Sequence, residues 1–168
     1  VLSARHIVSG TTPTTFEPGQ TATRAQCAAL LVRALGMPKS DAGHAFTDVP
    51  DSAWYAGDVA AAAKAGIIKG TSAGMFSPDQ GISRAELAVM ISRALESKTG
   101  RKVSDAKKVL AEYTDAGQIP GWAKEGVALA VESGIVNGRT KDTIVPQGMV
   151  NRAEVAVIIG RLLEQCNF

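Results

Sequence analysis

Histidine and cysteine, which most often carry nucleophilic, acid–base or metal chemistry, are nearly missing from the chain: two of each occur in 168 residues. Cys27 and Cys166 lie far apart with no CxxC or Cys/His spacing, and His6 and His44 stand in no repeated context. No metal-ligand set, redox pair or catalytic triad can be assembled from such a pattern. Cys27 falls on an apolar helical position and reads as a small core residue, whereas the terminal Cys166 reads as a free thiol or as half of a disulfide to something outside this sequence. Neither sign of charge dominates. Eighteen basic residues face sixteen acidic ones, interleaved along the chain, so the basic face that nucleic-acid binding requires is lacking. No apolar run approaches the roughly 20 residues that a membrane-spanning helix needs. The first residues form no charged n-region followed by an apolar h-region, so the chain, opening on Val1, reads as a processed or excised piece of something larger.

Alanine and glycine are abundant, and an apolar fraction of 45% matches a globular core. Sliding the sequence along itself finds three copies of one pattern. Gly10, Gly70 and Gly138 each follow an apolar pair by two positions, and each precedes an arginine by fourteen: Arg24, Arg84 and Arg152. Pro18, Pro78 and Pro146 align, as do Phe16, Phe76 and Ile144 before them. An upstream half repeats twice: Phe46-Thr47-Asp48 leads to Trp54 and Tyr113-Thr114-Asp115 to Trp122, and each Trp stands sixteen residues before its glycine. The first copy begins inside its pattern and lacks this half.

Apolar residues at helical spacing define an amphipathic helix in each copy. Leu87, Met90, Ile91, Ala94 and Leu95 form one stripe; Cys27, Leu30, Leu31, Ala34 and Leu35 form another; Val155, Ile158, Ile159, Leu162 and Leu163 form the third. An Ala-rich first helix is expected over residues 54–65, with a counterpart in the third copy, and a Gly/Pro/Ser loop separates the two helices. The expected fold is therefore all-α, a repeated helix-loop-helix. Its parts are residues 1–38 (half of copy one), 45–98 (copy two), 99–112 (a solvated linker with room for a helical turn) and 113–165 (copy three), together one domain.

The segments Thr23-Arg24-Ala25-Gln26, Ser83-Arg84-Ala85-Glu86 and Asn151-Arg152-Ala153-Glu154 each set a capping residue three before Gln or Glu. The first two read as capping boxes, and Asn151 can cap in the same way. Capping accounts for Glu86 and Glu154 without catalysis, and no other carboxylate pair suggests glycoside hydrolysis. The chain reads as non-catalytic and without a cofactor. The arginine is left over. At the first helical position a cation opposes the helix dipole by about 0.3–1 kcal/mol, so something must offset it. Two offsets are open: an ion pair with Asp48, Asp115 or the N3 carboxylate, or service as an anion site beside free helix-start amides. Trp54 and Trp122 carry a similar choice between anchoring the core and stacking on a sugar face.

The set Phe46-Thr47-Asp48-Val49, Trp54, Gly66-Ile67-Ile68-Lys69-Gly70, Phe76-Ser77-Pro78 and Ser83-Arg84-Ala85-Glu86 resembles the S-layer homology repeat, and the resemblance covers nearly the whole chain. It implies a pseudo-three-fold unit in which the first helices gather in a central bundle while loops and second helices project as prongs. It also implies grooves that bind an anionic, pyruvylated cell-wall polysaccharide and so anchor a surface protein outside the bacterial cell. Carried onto this sequence, the binding residues are Arg24, Arg84 and Arg152, with Gly10, Gly70, Gly138 and Lys69 on the loop side and Trp54 and Trp122 shaping the grooves. Thr23, Ser83, Asn151, Gln26, Glu86, Glu154, Asp48 and Asp115 take capping or structural roles. Asn151, Ile144 and Asn137 depart from the pattern, so the third site is expected to be the most altered. The competing reading is a helical module for protein–protein or lattice assembly, with another chain or a missing segment completing copy one.

Overall fold

The three apolar stripes bury as helical spacing requires. In the computed structural model, which describes residues 17–41 and 45–167, the second helices of the copies are α1 (Arg24–Ala34), α3 (Arg84–Thr99) and α6 (Arg152–Gln165). Their stripe residues are all buried except Leu30, which is half-buried against the core. His6, Gly10 and His44 lie outside the described residues. The first helices of copies two and three are α2 (Ala56–Lys64) and α5 (Lys124–Glu132), and a short α4 (Ala106–Leu110) lies between copies. Among the described residues there is no strand, only isolated bridges, and no helix is long and apolar enough to cross a membrane. Cys27 sits in the core, where burial pushes its thiol up to about 12 and leaves it unreactive.

Both first helices start later than residue-by-residue alignment suggests. Neither Tyr55 nor Ala123 has a side chain that caps, so Trp54 stays ahead of α2 and Trp122 lies in a 3-10 turn, Gly121–Ala123, ahead of α5. The core-anchor reading of the tryptophans fails: Trp54 is 57% and Trp122 62% exposed, and Tyr55 is the aromatic that packs inward. The segment over 99–112 is also more than a solvated linker. Asp105 caps α4, Leu110 is buried, and α4 packs against α5.

Both first helices end alike. Gly66 (φ 71°) and Gly134 (φ 69°) take left-handed backbone, and the amides of Ile67 and Ile135 reach back to the carbonyls of Ala62 and Ala130. This reversal buries Ile67-Ile68 and Ile135-Val136 and brings Lys69-Gly70 and Asn137-Gly138 out to a surface loop. The loop is held by a carboxylate from the same repeat. Asp48 accepts from the amides of Phe76 (2.8 Å) and Ser77 (2.7 Å), and Asp115 accepts from those of Ile144 (2.9 Å) and Val145 (2.7 Å). Among the described residues neither aspartate makes the ion pair with an arginine that one sequence reading gave it. Each fixes a non-glycine residue, Ser77 (φ 57°) or Val145 (φ 56°), in left-handed backbone. A Cβ on Gly70 would lie 2.4 Å from the Met75 carbonyl oxygen, and one on Gly138 would lie 2.4 Å from that of Thr140. Loop closure alone therefore demands glycine at both places.

The copies join at the starts of their second helices. Ala22 donates to Val150 (2.9 Å), Val150 to Ile82 (3.1 Å) and Ile82 to Ala22 (3.0 Å), closing a ring of backbone hydrogen bonds. α1 and α3 each contact α6, while α2 lies on α1 and α5 on α3. The described contacts thus converge through the second helices, where the resemblance implied a bundle of first helices. The reason is burial: α1 buries eight of its eleven residues and α3 ten of sixteen, whereas α2 buries five of nine and α5 four of nine.

Burial raises the Asp48 carboxyl, but the amides of Phe76 and Ser77, its own amide and the Arg24 charge outweigh this and hold it below the usual range. Its folded form therefore takes up protons only at lower pH than the unfolded form. The stabilisation should be complete above about pH 4 and fade as the pH falls further. We predict that Asp48→Ala lowers stability by about 1–2 kcal/mol at pH 7, allowing for solvent screening, and that the gap to the parent narrows below about pH 4. Urea melts at pH 7 and pH 3 check both halves; a gap that is constant with pH would mean the loop does not depend on the ionised carboxylate.

Candidate functional site

An α-helix leaves its first amides without internal partners. Here every one at the three second helices is used. Thr23, Ser83 and Asn151 accept from the N3 amides of Gln26, Glu86 and Glu154, whose side chains return to the cap amides, so all three capping boxes are complete. The next two amides are satisfied by another copy: Arg24 and Ala25 donate to Gln80 and Pro78, Arg84 and Ala85 to Gly148 and Pro146, Arg152 and Ala153 to Gln20 and Pro18. No helix-start amide is thereby left free for the anion-site alternative.

The arginines are buried between copies. Arg24, 4% exposed, donates from Nε to the Phe76 carbonyl (2.8 Å) and from Nη2 to that of Lys69 (3.1 Å), and its Nη1 meets Glu86 Oε1 at 2.8 Å. Its guanidinium also lies 4.9 Å from the Phe76 ring centre. The ion pair foreseen with an N3 carboxylate exists, but the carboxylate belongs to the next copy. Arg84 repeats the pattern with Ile144 (2.7 Å) and Asn137 (2.6 Å), while its Nη1 stands 3.9 Å from Glu154. Arg152 is equally buried. These bonds offset the unfavourable dipole position and tie each helix start to the neighbouring loop.

Arg24 and Arg84 each form the floor of a groove. The first, about 620 Å³, is walled by Lys69, Thr71, Gln80, Arg93 and Trp122. The second, about 410 Å³, has Arg84 at its floor and Asn137, Gly138, Arg139 and Arg161 around it. Burial lowers the Arg93 and Arg84 side chains from their ordinary values, and at Arg84 the nearby Arg139 adds to this. Trp54 joins neither groove; it lies edge-on to Tyr55 and 5.6 Å from the Arg33 guanidinium, which pairs with the buried Asp58 at 3.0 Å. Thr71, Gln80, Arg93, Arg139 and Arg161 were missed by motif reading. The alignment offered one signal, since Arg33, Arg93 and Arg161 recur in register on the second helices. No group of three or more His, Cys, Asp and Glu side chains among the described residues could hold a metal.

A family model for the S-layer homology domain matches residues 1–28, 45–88 and 112–156. The chain belongs to the S-layer homology family. Relatives of this S-layer homology chain include the exoglucanase XynX of Acetivibrio thermocellus, 39% identical over 99% of this chain and 15% of its own. The S-layer protein of Bacillus thuringiensis subsp. finitimus is 35% identical over 98% and 19%. The chain thus spans less than a fifth of these relatives. An undecaheme cytochrome from the S-layer of Carboxydothermus ferrireducens shares the fold, with a TM-score of 0.56, 16% identity, and coverage of 89% of this chain and 18% of that one.

The dipole argument taken alone expects removal of the cation to stabilise the S-layer homology fold. Burial reverses the sign. We predict that Arg24→Ala costs about 3 kcal/mol, as for breaking a buried pair, and that Arg24→Lys recovers less than half, because it cannot reach both carbonyls and Glu86 together. Chemical denaturation of the two variants checks this; an alanine variant as stable as the parent would mean that the buried bonds contribute nothing net.

Proposed function

We propose that this chain is a non-catalytic cell-surface anchor whose grooves hold an acidic, pyruvylated cell-wall polysaccharide. Family membership puts it among modules that anchor surface proteins. The likeness to an exoglucanase carries no catalysis with it, since it covers 15% of that relative. The observation that carries the reading is the first groove. Two cationic side chains, Lys69 and Arg93, and an amide, Gln80, face an exposed indole, Trp122. An acidic sugar fits such a wall: its carboxylate meets the cations and its C–H face lies on the ring. Arg24, Arg84 and Arg152 hold the groove floors, Gly70 and Gly138 let the loops close beneath them, and Trp54 with Arg33 offers the equivalent wall elsewhere. The three matched segments act together as one pseudo-three-fold domain, and Gly10 aligns in sequence with Gly70 and Gly138.

Lattice assembly is favoured by one observation. Val157 on α6 is 52% exposed, although its counterpart on α3, Val89, is buried against Gly126 of α5. Sedimentation equilibrium tests that reading, and a monomer at all concentrations would remove it.

For the main reading, the protein should co-sediment with purified bacterial walls and lose binding when the pyruvyl groups are removed by mild acid. Trp122→Ala should weaken binding about tenfold through the lost stacking surface while changing stability by no more than about 0.5 kcal/mol, because the ring is exposed. Equal retention on walls with and without the acidic groups would sink the proposal.

A further inference from the structure

The two grooves differ in what their arginines have left to give. In the first, all three faces of the Arg24 guanidinium are occupied, Nη1 by Glu86 at 2.8 Å. In the second, Glu154 has moved off. Its Oε2 still closes the capping box on the Asn151 amide, but its Oε1 lies 3.1 Å from Arg139 Nη1 and 3.9 Å from Arg84 Nη1. Arg139 stands where the first groove has Thr71, a residue too short to reach this carboxylate and bonded instead to Ser77. It is steadied from behind by the Met149 carbonyl at 3.4 Å. Two guanidinium groups thus share one carboxylate oxygen, and Arg84 Nη1 is the one left without a hydrogen bond among the described residues.

We infer that Arg139 is a specificity-determining residue: by drawing Glu154 away, it frees Arg84 Nη1 to receive a ligand carboxylate and makes the second groove the more anion-selective of the two. This rests on the polysaccharide reading above. A ligand carboxylate entering the first groove must displace Glu86 from its 2.8 Å bond to Arg24, whereas in the second Arg84 Nη1 makes no hydrogen bond among the described residues and meets Glu154 only at 3.9 Å; Arg93 and Arg161 supply the same further cation to the two walls. Burial of Arg84 beside Arg139 makes an added negative charge more welcome still. Arg139, which is not among the departures noted from the sequence, thus changes the preference of this repeat towards the acidic group of the sugar. Arg139 acts here as a positioning residue, through Glu154, so its effect must depend on that carboxylate.

The test uses a methyl glycoside carrying a 4,6-pyruvate ketal, with the same glycoside lacking the ketal as control, titrated calorimetrically into the whole chain and its variants. Arg139→Thr, which restores the residue of the first groove, should let Glu154 fall onto Arg84 and weaken ketal binding about tenfold. Adding Glu154→Gln should bring affinity back to within about twofold of the parent, because a neutral amide does not compete for the guanidinium. Fold should survive in both, since Gln26 already closes the same capping box in α1; melts verify this. Unchanged binding by Arg139→Thr overturns the inference, and so does a double variant that stays weak, which would make Arg139 a direct ligand contact. In either case a parent that still binds walls leaves the anchoring reading intact. A parent that binds neither the ketal glycoside nor acidic walls overturns both.

Discussion

Four backbone amides and one arginine open each second helix, and none of them finds a partner in the helix's own backbone ladder. The capping boxes take two amides; the other two and the guanidinium turn to carbonyls of the neighbouring loop, such as Pro78, Gln80, Phe76 and Lys69 for α1. Because an unmet buried donor costs roughly 1–3 kcal/mol, the loop must stand where those bonds can be made. This explains why the loop is built so rigidly, with Asp48 or Asp115 gripping two amides and Gly70 or Gly138 allowing carbonyls to within contact of the backbone. Helix start, loop and neighbouring copy form one unit of hydrogen-bonding necessity.

The same economy decides what is left for a ligand. Helix-start amides are consumed, so the proposed recognition rests on side chains around the arginine floor: Lys69, Arg93 and Trp122 in one groove, Arg139 and Arg161 in the other. On that reading, structure and binding are divided within single residues. Arg84 spends two nitrogens on Ile144 and Asn137 and keeps Nη1 on the groove side.

Local features were legible in the sequence. The stripes of α1, α3 and α6 follow a period of 3.6, and each capping box spans four residues, so both are written within a few turns of chain. What the arginines bond to was not legible, because Arg24 and Glu86 lie 62 positions apart and nothing local links them. The tryptophans left their choice open for a different reason. A large ring at a helix start usually packs inward, yet here the neighbouring Tyr55 fills that place and leaves Trp54 outside. Helix α4 was legible only as a helical turn because five residues are too few to reveal a period; Leu110 is buried, and Ala106 and Val109 pack against the core beside it.

The ring of Ala22, Ile82 and Val150 has a further consequence. Each amide in it donates to one neighbour and each carbonyl accepts from another, so after three members no donor or acceptor is left over. Most tandem repeats stack as open solenoids, where a new copy adds to either end and stability grows with number. This arrangement has no end to extend. A fourth copy inserted by duplication could enter only by breaking a bond in the ring, and it would otherwise hang as a tail with its helix start unsatisfied. Gain or loss of a copy should thus be all-or-none here, which sets copy number by geometry and makes duplication of the whole triplet the route to a longer anchor.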